Sequence, residues 1–282
     1  MTIRTIAVLG TGTMGRGIAY LSALAGYDTV IYDVDDAALD AAKASIDSTL
    51  KKGIEKSKVT ETDAVLAMSR VHLVPDLEPA ARDADLLIEA VPENFELKKE
   101  LFAQADLFCG EETILASNTS SISISTLAEN VERRDRFVGL HFFNPPHVMK
   151  LIEIVRGQRT SDETIAQVRE VSEKMGKTPI VVRDSPGFAT SRLGVAIGLE
   201  AIRMLEEGVA SAEDIDRAME LGYNHPMGPL RLTDLVGLDV RLGIAEYLAS
   251  HLGPRFEPPQ LLRDMVAAGK LGKKTGEGFY RW

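Results

Sequence analysis

The chain has 282 residues, enough for two medium-sized domains with buried cores. Hydrophobic residues make up 45% and charged residues 26%, the balance of an ordinary globular protein, and the formal net charge is -10. That acidity, without a basic tract, argues against nucleic-acid and membrane partners, and the single cysteine, Cys109, excludes an internal disulfide and a cysteine-rich metal site.

Residues 3–9, IRTIAVL, form a short apolar run that reads as a strand. Gly10 to Gly15 follow at once, and a helical pattern then runs through Ile18, Leu21 and Ala25 to a C-capping Gly26. Residues 28–33, DTVIYD, read as the next strand and complete a βαβ unit. Further strands are expected at 71–74, 85–90, 113–116, 137–141, 150–155 and 179–182, with an Asn94-capped amphipathic helix over 94–107. Cys109 reads as a partly buried residue of that helical region. The character changes near Asp184-Ser185-Pro186-Gly187. Beyond it, helices are expected over 188–207, 212–221, 229–251 and 258–267, with almost no strand signal. The expected architecture is α/β: a Rossmann-type, doubly wound, mostly parallel sheet domain over residues 1–184, then an all-helical domain over 185–282.

The segment Gly10-Thr11-Gly12-Thr13-Met14-Gly15 fits G-x-G-x-x-G, between a strand and a helix, with Asp33 18 residues after Gly15 at a strand end. The first glycine allows the tight turn, the second the approach of a pyrophosphate, and the third close packing of helix on strand. A carboxylate at Asp33 accepts from the ribose hydroxyls and repels a 2′-phosphate, and no Arg or Lys stands beside it. The expected cofactor is NAD.

Two polar clusters fall at C-terminal strand ends, the ligand-binding edge of such sheets: Ser117-Asn118-Thr119-Ser120-Ser121, and His141-Phe142-Phe143-Asn144. Oxidation of an alcohol by NAD releases a proton, and a neutral imidazole suits its removal. His141 is the candidate base. Glu153, on the next strand across a Pro145-Pro146 turn, orients it if that connection is a hairpin, although the alternation in KLIEIV also allows Glu153 a solvated face. Ser117 and Asn144 are candidates to hydrogen-bond the substrate oxygen. The small basic cluster Lys51, Lys52 and Lys56 is a candidate for the phosphates of an anionic ligand, against the common case of solvated surface lysines.

Across essentially its whole length the sequence resembles the L-3-hydroxyacyl-CoA dehydrogenase family, particularly its short bacterial 3-hydroxybutyryl-CoA members. The resemblance rests on GTGTMGRGIA, IEAVPEN (88–94), SNTSSISI (117–124), HFFNPPHVMKLIEIV (141–155), DSPGF (184–188), HPMGPLRLTDLVGLD (225–239) and GKKTGEGFY (272–280), in that order. It implies reversible oxidation of a short-chain (S)-3-hydroxyacyl-CoA to the 3-oxoacyl-CoA, with His141 as base and Glu153 as its partner. It further implies Gly10, Gly12, Thr13, Met14, Gly15, Asp33, Ala90, Glu93, Lys98, Ser117 and Asn144 around the cofactor. Ser117 and Ser191 are implied at the substrate, with a homodimer through the helical domain, which also closes over the acyl-CoA. Ser191 stands where the family usually has Asn, in Pro186-Gly187-Phe188-Ala189-Thr190-Ser191-Arg192. Lys273 and Lys274 match a family motif, and His225 reads as structural. Two other readings remain: a related hydroxy-acid or sugar-acid dehydrogenase, and a non-catalytic NAD-binding protein. The N-terminus lacks a secretory pattern, no apolar run reaches membrane-spanning length, and the lone thiol points to the cytoplasm.

Overall fold

The computed structural model describes residues 2–282, and the chain divides into two compact units, Met1–Asp184 and Ser185–Trp282. The first unit runs β1 (Thr5–Leu9), α1 (Thr13–Leu24), β2 (Asp28–Tyr32), α2 (Asp36–Glu55), α3 (Glu61–Ser69), β3 (Val71–Val74), α4 (Leu77–Arg82) and β4 (Leu86–Glu89). It continues with α5 (Phe95–Phe108), β5 (Ile114–Ser117), a short α6 (Ile124–Leu127), β6 (Phe137–Phe142), β7 (Leu151–Arg156), α7 (Asp162–Lys174) and β8 (Thr178–Arg183). Among the described residues, the eight strands form one sheet in the order β3-β2-β1-β4-β5-β6-β7-β8. β1 to β6 pair in parallel, β7 runs antiparallel to β6, and β8 is parallel to β7. The order 3-2-1-4-5-6 is that of a doubly wound dinucleotide fold, so the α/β expectation holds.

Sequence explains the central strands. Helices cover both faces of a parallel sheet, so its strands are apolar throughout rather than alternating. Ile6 to Leu9 of β1 are fully buried, and every residue of β4, β5 and β6 is buried. Capping side chains set helix starts: Asp35 accepts from Ala37 N–H, Thr60 from Asp63 N–H, Asn94 from Leu97 N–H, and Ser161 from Thr164 N–H. Strand bounds differ from the sequence reading by a residue or two. Cys109 lies just past α5 in extended backbone rather than within a helix. Burial pushes its thiol up to about 11, so it stays protonated near neutral pH.

The second unit holds α8 (Thr190–Glu206), α9 (Ala212–Gly222), α10 (Pro229–Val236), α11 (Leu238–Leu252) and α12 (Gln260–Ala267). Val195, Leu199, Ile202, Leu230, Leu238 and Leu248 fill its core. The single helix expected over 229–251 is in fact two. Gly237, at φ 102°, ends α10 and starts α11 in a conformation that side chains resist. The apolar period runs across this break because both helices bury into the same core. The helix expected from Phe188 begins at Thr190, because Phe188 has φ 47°. Beyond the last helix, buried Asp234 accepts from the N–H groups of Phe279 and Tyr280 and from the indole N–H of Trp282, which explains the aromatic end of the chain. Lys274 pairs with Asp239, with Nζ 2.6 Å from Oδ1. No helix among the described residues is long and apolar enough to cross a membrane.

Candidate active site

The glycine turn connects β1 to α1. Gly10 has φ 101°, and a Cβ there would lie 2.9 Å from the Ala90 carbonyl oxygen. A Cβ on Gly15 would lie 1.8 Å from the Gly10 carbonyl oxygen. Gly12 meets nothing within 4 Å, so its missing side chain leaves open room above the turn. The N–H groups of the first turn of α1 face that room with the positive end of the helix dipole. Asp33 follows β2. Its Oδ2 accepts from Thr11 N–H at 2.9 Å and from the Thr11 hydroxyl at 2.6 Å, which holds the carboxylate beside the turn. A cavity of about 650 Å³ is lined by Gly12, Thr13, Met14, Asp33, Ala90 and Val91, among others. Glycine turn, helix start, carboxylate and cavity together fit a dinucleotide whose ribose bears a free 2′-hydroxyl.

A second cavity of about 310 Å³ adjoins it and shares Met14, Ala90 and Val91. Glu93, Lys98, Asn118, His141, Phe143 and Asn144 are among the other residues of its wall. His141 is on β6, and Glu153 is its direct partner across the antiparallel pair with β7. The His141 Nδ1–Glu153 Oε2 distance is 2.8 Å. Glu153 is fully buried because β7 is an interior strand between β6 and β8, so the solvated-face alternative is excluded. Asn118 Oδ1 accepts from Phe142 N–H at 2.9 Å, which ties the end of β5 to that of β6.

Beside this wall lies a buried ionic network. Lys98 Nζ, on α5, donates to Glu89 Oε1 at 2.5 Å and lies 3.2 Å from Glu93 Oε2. Glu89, at the end of β4, also accepts from Val91 N–H and from the Ser117 hydroxyl at 2.6 Å. Glu93 Oε1 accepts from the Thr119 hydroxyl, the Ser120 N–H and the Ser121 hydroxyl. Burial pushes Glu89 up against the opposing pull of Lys98. Burial also works to raise Glu93, but Lys98 and the donors of the 119–120 segment outweigh it and hold that carboxyl low.

The structure brings Gly10, Gly12, Thr13, Met14, Asp33 and Ala90 to the first cavity, and Glu93, Lys98, His141 and Asn144 to the second. Ser117 lies deeper. It is fully buried, and its hydroxyl hydrogen goes to Glu89. Lys51 lies on α2 and pairs with Asp47 at 2.5 Å, Lys52 is exposed on the same helix, and neither lines either cavity. Ser191 belongs to the first turn of α8 in the helical unit. Glu89 was given no role from sequence, and Asn118 was only part of a polar cluster. The acidic residue ending an otherwise apolar run, LLIE, nine residues before a lysine, is the signal that reveals Glu89.

The chain matches known proteins over nearly its whole length. Residues 5–185 match the family model described as 3-hydroxyacyl-CoA dehydrogenase, NAD binding domain, and residues 187–282 match its C-terminal domain. A probable 3-hydroxybutyryl-CoA dehydrogenase from Deinococcus radiodurans is 47% identical, over 98% of this chain and 99% of its own. Human mitochondrial hydroxyacyl-coenzyme A dehydrogenase is 40% identical, over 99% of this chain and 91% of its own. The crystal structure of (S)-3-hydroxybutyryl-CoA dehydrogenase from Ralstonia eutropha superposes with a TM-score of 0.96 at 46% identity, over 100% of this chain and 99% of the other. The chain belongs to the 3-hydroxyacyl-CoA dehydrogenase family, with an NAD-binding domain followed by the family's C-terminal domain.

Proposed function

We propose that this protein catalyses the reversible oxidation of a short-chain (S)-3-hydroxyacyl-CoA to the 3-oxoacyl-CoA. The observation that carries the reading is the His141–Glu153 pair, 2.8 Å apart, on a cavity contiguous with the dinucleotide cavity. NAD, when bound, accepts the hydride from C3 of the substrate. His141 takes the hydroxyl proton. Its Nδ1–H donates to Glu153, so Nε2 is the nitrogen that receives it. The buried Glu153 carboxylate fixes that tautomer and stabilises the imidazolium that forms. In the reducing direction His141 returns the proton to the 3-oxo oxygen. Asn144, on the same wall, donates to the substrate oxygen, and Ser117 acts with Glu89 to hold Lys98 and the 117–121 segment.

Ser191 is assigned to the substrate in the helical unit. That unit exposes Leu193 (63%), Leu221 (78%) and Tyr223 (76%), which supports a homodimer through it, testable by light scattering. The bacterial relatives and the single cysteine support a cytoplasmic location, testable by cell fractionation. The reaction is tested by NADH consumption with acetoacetyl-CoA against free acetoacetate. Turnover of the thioester alone supports the reading. Turnover of the free acid alone favours a hydroxy-acid dehydrogenase, and binding of NADH with no turnover favours a non-catalytic protein.

A further inference from the structure

One lysine serves two carboxylates beside the second cavity. Lys98 Nζ lies 2.5 Å from Glu89 Oε1 and 3.2 Å from Glu93 Oε2, so the ammonium sits closer to Glu89. Glu89 is fully buried, whereas the Glu93 side chain is 39% exposed and lines the cavity. Three donors converge on the Glu89 oxygens, the setting of an ionised carboxylate: the Lys98 ammonium and Val91 N–H on Oε1, and the Ser117 hydroxyl on Oε2. Among the described residues, Lys98 is the cation paired with either carboxylate. One positive and two negative groups leave a surplus of one negative charge.

That surplus bears on the cofactor. Asp33 marks the adenosine end of the dinucleotide in the first cavity. The hydride and the proton leave adjacent atoms of the substrate, so the nicotinamide belongs in the cavity that His141 lines. The oxidised ring carries a positive charge and the reduced ring carries none. The Lys98 and Glu89 side chains are 1% and 0% exposed, so charge in this network acts through a low-dielectric interior and is little screened by salt. A fixed negative surplus there attracts the oxidised ring and leaves the reduced ring nearly unaffected.

We propose that Glu89 is a positioning residue: by drawing Lys98 toward itself it leaves Glu93 incompletely neutralised, and the net negative charge of that wall favours binding of NAD⁺ over NADH. Glu89 thus acts through Lys98 and Glu93 rather than by touching the cofactor. The assignment rests on the placement of the nicotinamide beside His141 in the function proposed above.

The test is the ratio of dissociation constants, NAD⁺ over NADH, near neutral pH, with NADH titrated by its fluorescence and NAD⁺ by displacement of NADH. Glu89→Gln keeps the shape and removes the charge, and Lys98 then neutralises Glu93. The ratio is expected to rise about tenfold, through weaker NAD⁺ binding, as befits one unit charge acting across roughly 10 Å of protein. Glu89→Asp keeps the charge, and its ratio is expected to stay within about threefold of the wild type. A purely structural role would weaken both nucleotides alike, so a parallel loss overturns the proposal. An unchanged ratio in a folded Glu89→Gln overturns it too, as does a shift in Glu89→Asp as large as that in Glu89→Gln. Should Glu89→Gln fail to fold, Glu93→Gln removes the same net charge from a partly exposed position. Its ratio is expected to rise likewise, and an unchanged ratio there overturns the proposal. A wild-type protein that binds NADH without turning over acetoacetyl-CoA overturns the proposed reaction, a result separate from the ratio, which still reads the charge of the wall.

Discussion

His141 and Glu153 are register partners across β6 and β7, and their side chains meet at 2.8 Å, with His141 on the wall of the second cavity. One antiparallel pair in an otherwise parallel region makes this possible. A parallel neighbour needs a crossover connection, whereas a hairpin brings residues twelve positions apart face to face. Glu153→Gln keeps the shape and removes the charge. It is expected to lower kcat by about 10²-fold or more with little change in NADH affinity. Steady-state kinetics with a fluorescence titration of NADH checks this. An unchanged kcat would remove Glu153 from the proton path.

The glycine turn separates folding from binding. A methyl at Gly15 collides with the Gly10 carbonyl, whereas one at Gly12 meets nothing within 4 Å. Gly15→Ala is therefore expected to disturb the β1–α1 turn and lower the melting temperature. Gly12→Ala is expected to melt like the wild type but to bind NADH about tenfold more weakly or worse, because the methyl occupies the room left for the pyrophosphate. Equal NADH affinity in a folded Gly12→Ala would contradict this use of the turn.

Asp33 is held beside the glycine turn by Thr11, and the residues that follow it, an 81% exposed Val34, then Asp35 and Asp36, include no Arg or Lys. Asp33→Ala is expected to weaken NADH binding by about 1.5–3 kcal/mol, the worth of hydrogen bonds to a charged group. It should weaken NADPH binding far less, since the repulsion of the 2′-phosphate goes with the carboxylate. Paired titrations of the two nucleotides decide the matter.

Glu93 gives a sign for acid stability. Its folded carboxyl is held below the ordinary value, so it contributes stability above the unfolded pKa. That contribution is lost as pH falls through the folded value. Removing it by Glu93→Gln is expected to lower the melting temperature at pH 7 and to flatten its decline between about pH 5 and pH 3. A variant curve parallel to the wild type would show that Glu93 is not favourably paired.

The dinucleotide half was legible because local rules dictate it. A glycine turn needs G-x-G-x-x-G, and a ribose needs Asp33 at a strand end. The His141–Glu153 pair required a tertiary fact, the direction of β7, which periodicity in KLIEIV leaves open. Ser117 reads as a substrate contact from its place at a strand end, yet its hydroxyl is engaged with Glu89, a partner on a different strand. Glu89 was hidden for the same reason. An acidic residue in an apolar strand makes sense only once α5 returns Lys98 to it. The break at Gly237 was masked by apolar residues continuing on both sides.

In the proposed mechanism His141 moves the proton while the neighbouring glycine turn holds the cofactor. The most direct measurement is His141→Ala, assayed for NADH consumption with acetoacetyl-CoA and separately for NADH binding. Turnover is expected to fall by about 10³-fold or more while NADH affinity stays within about twofold. Unchanged turnover, or a loss explained wholly by weaker NADH binding, would contradict it.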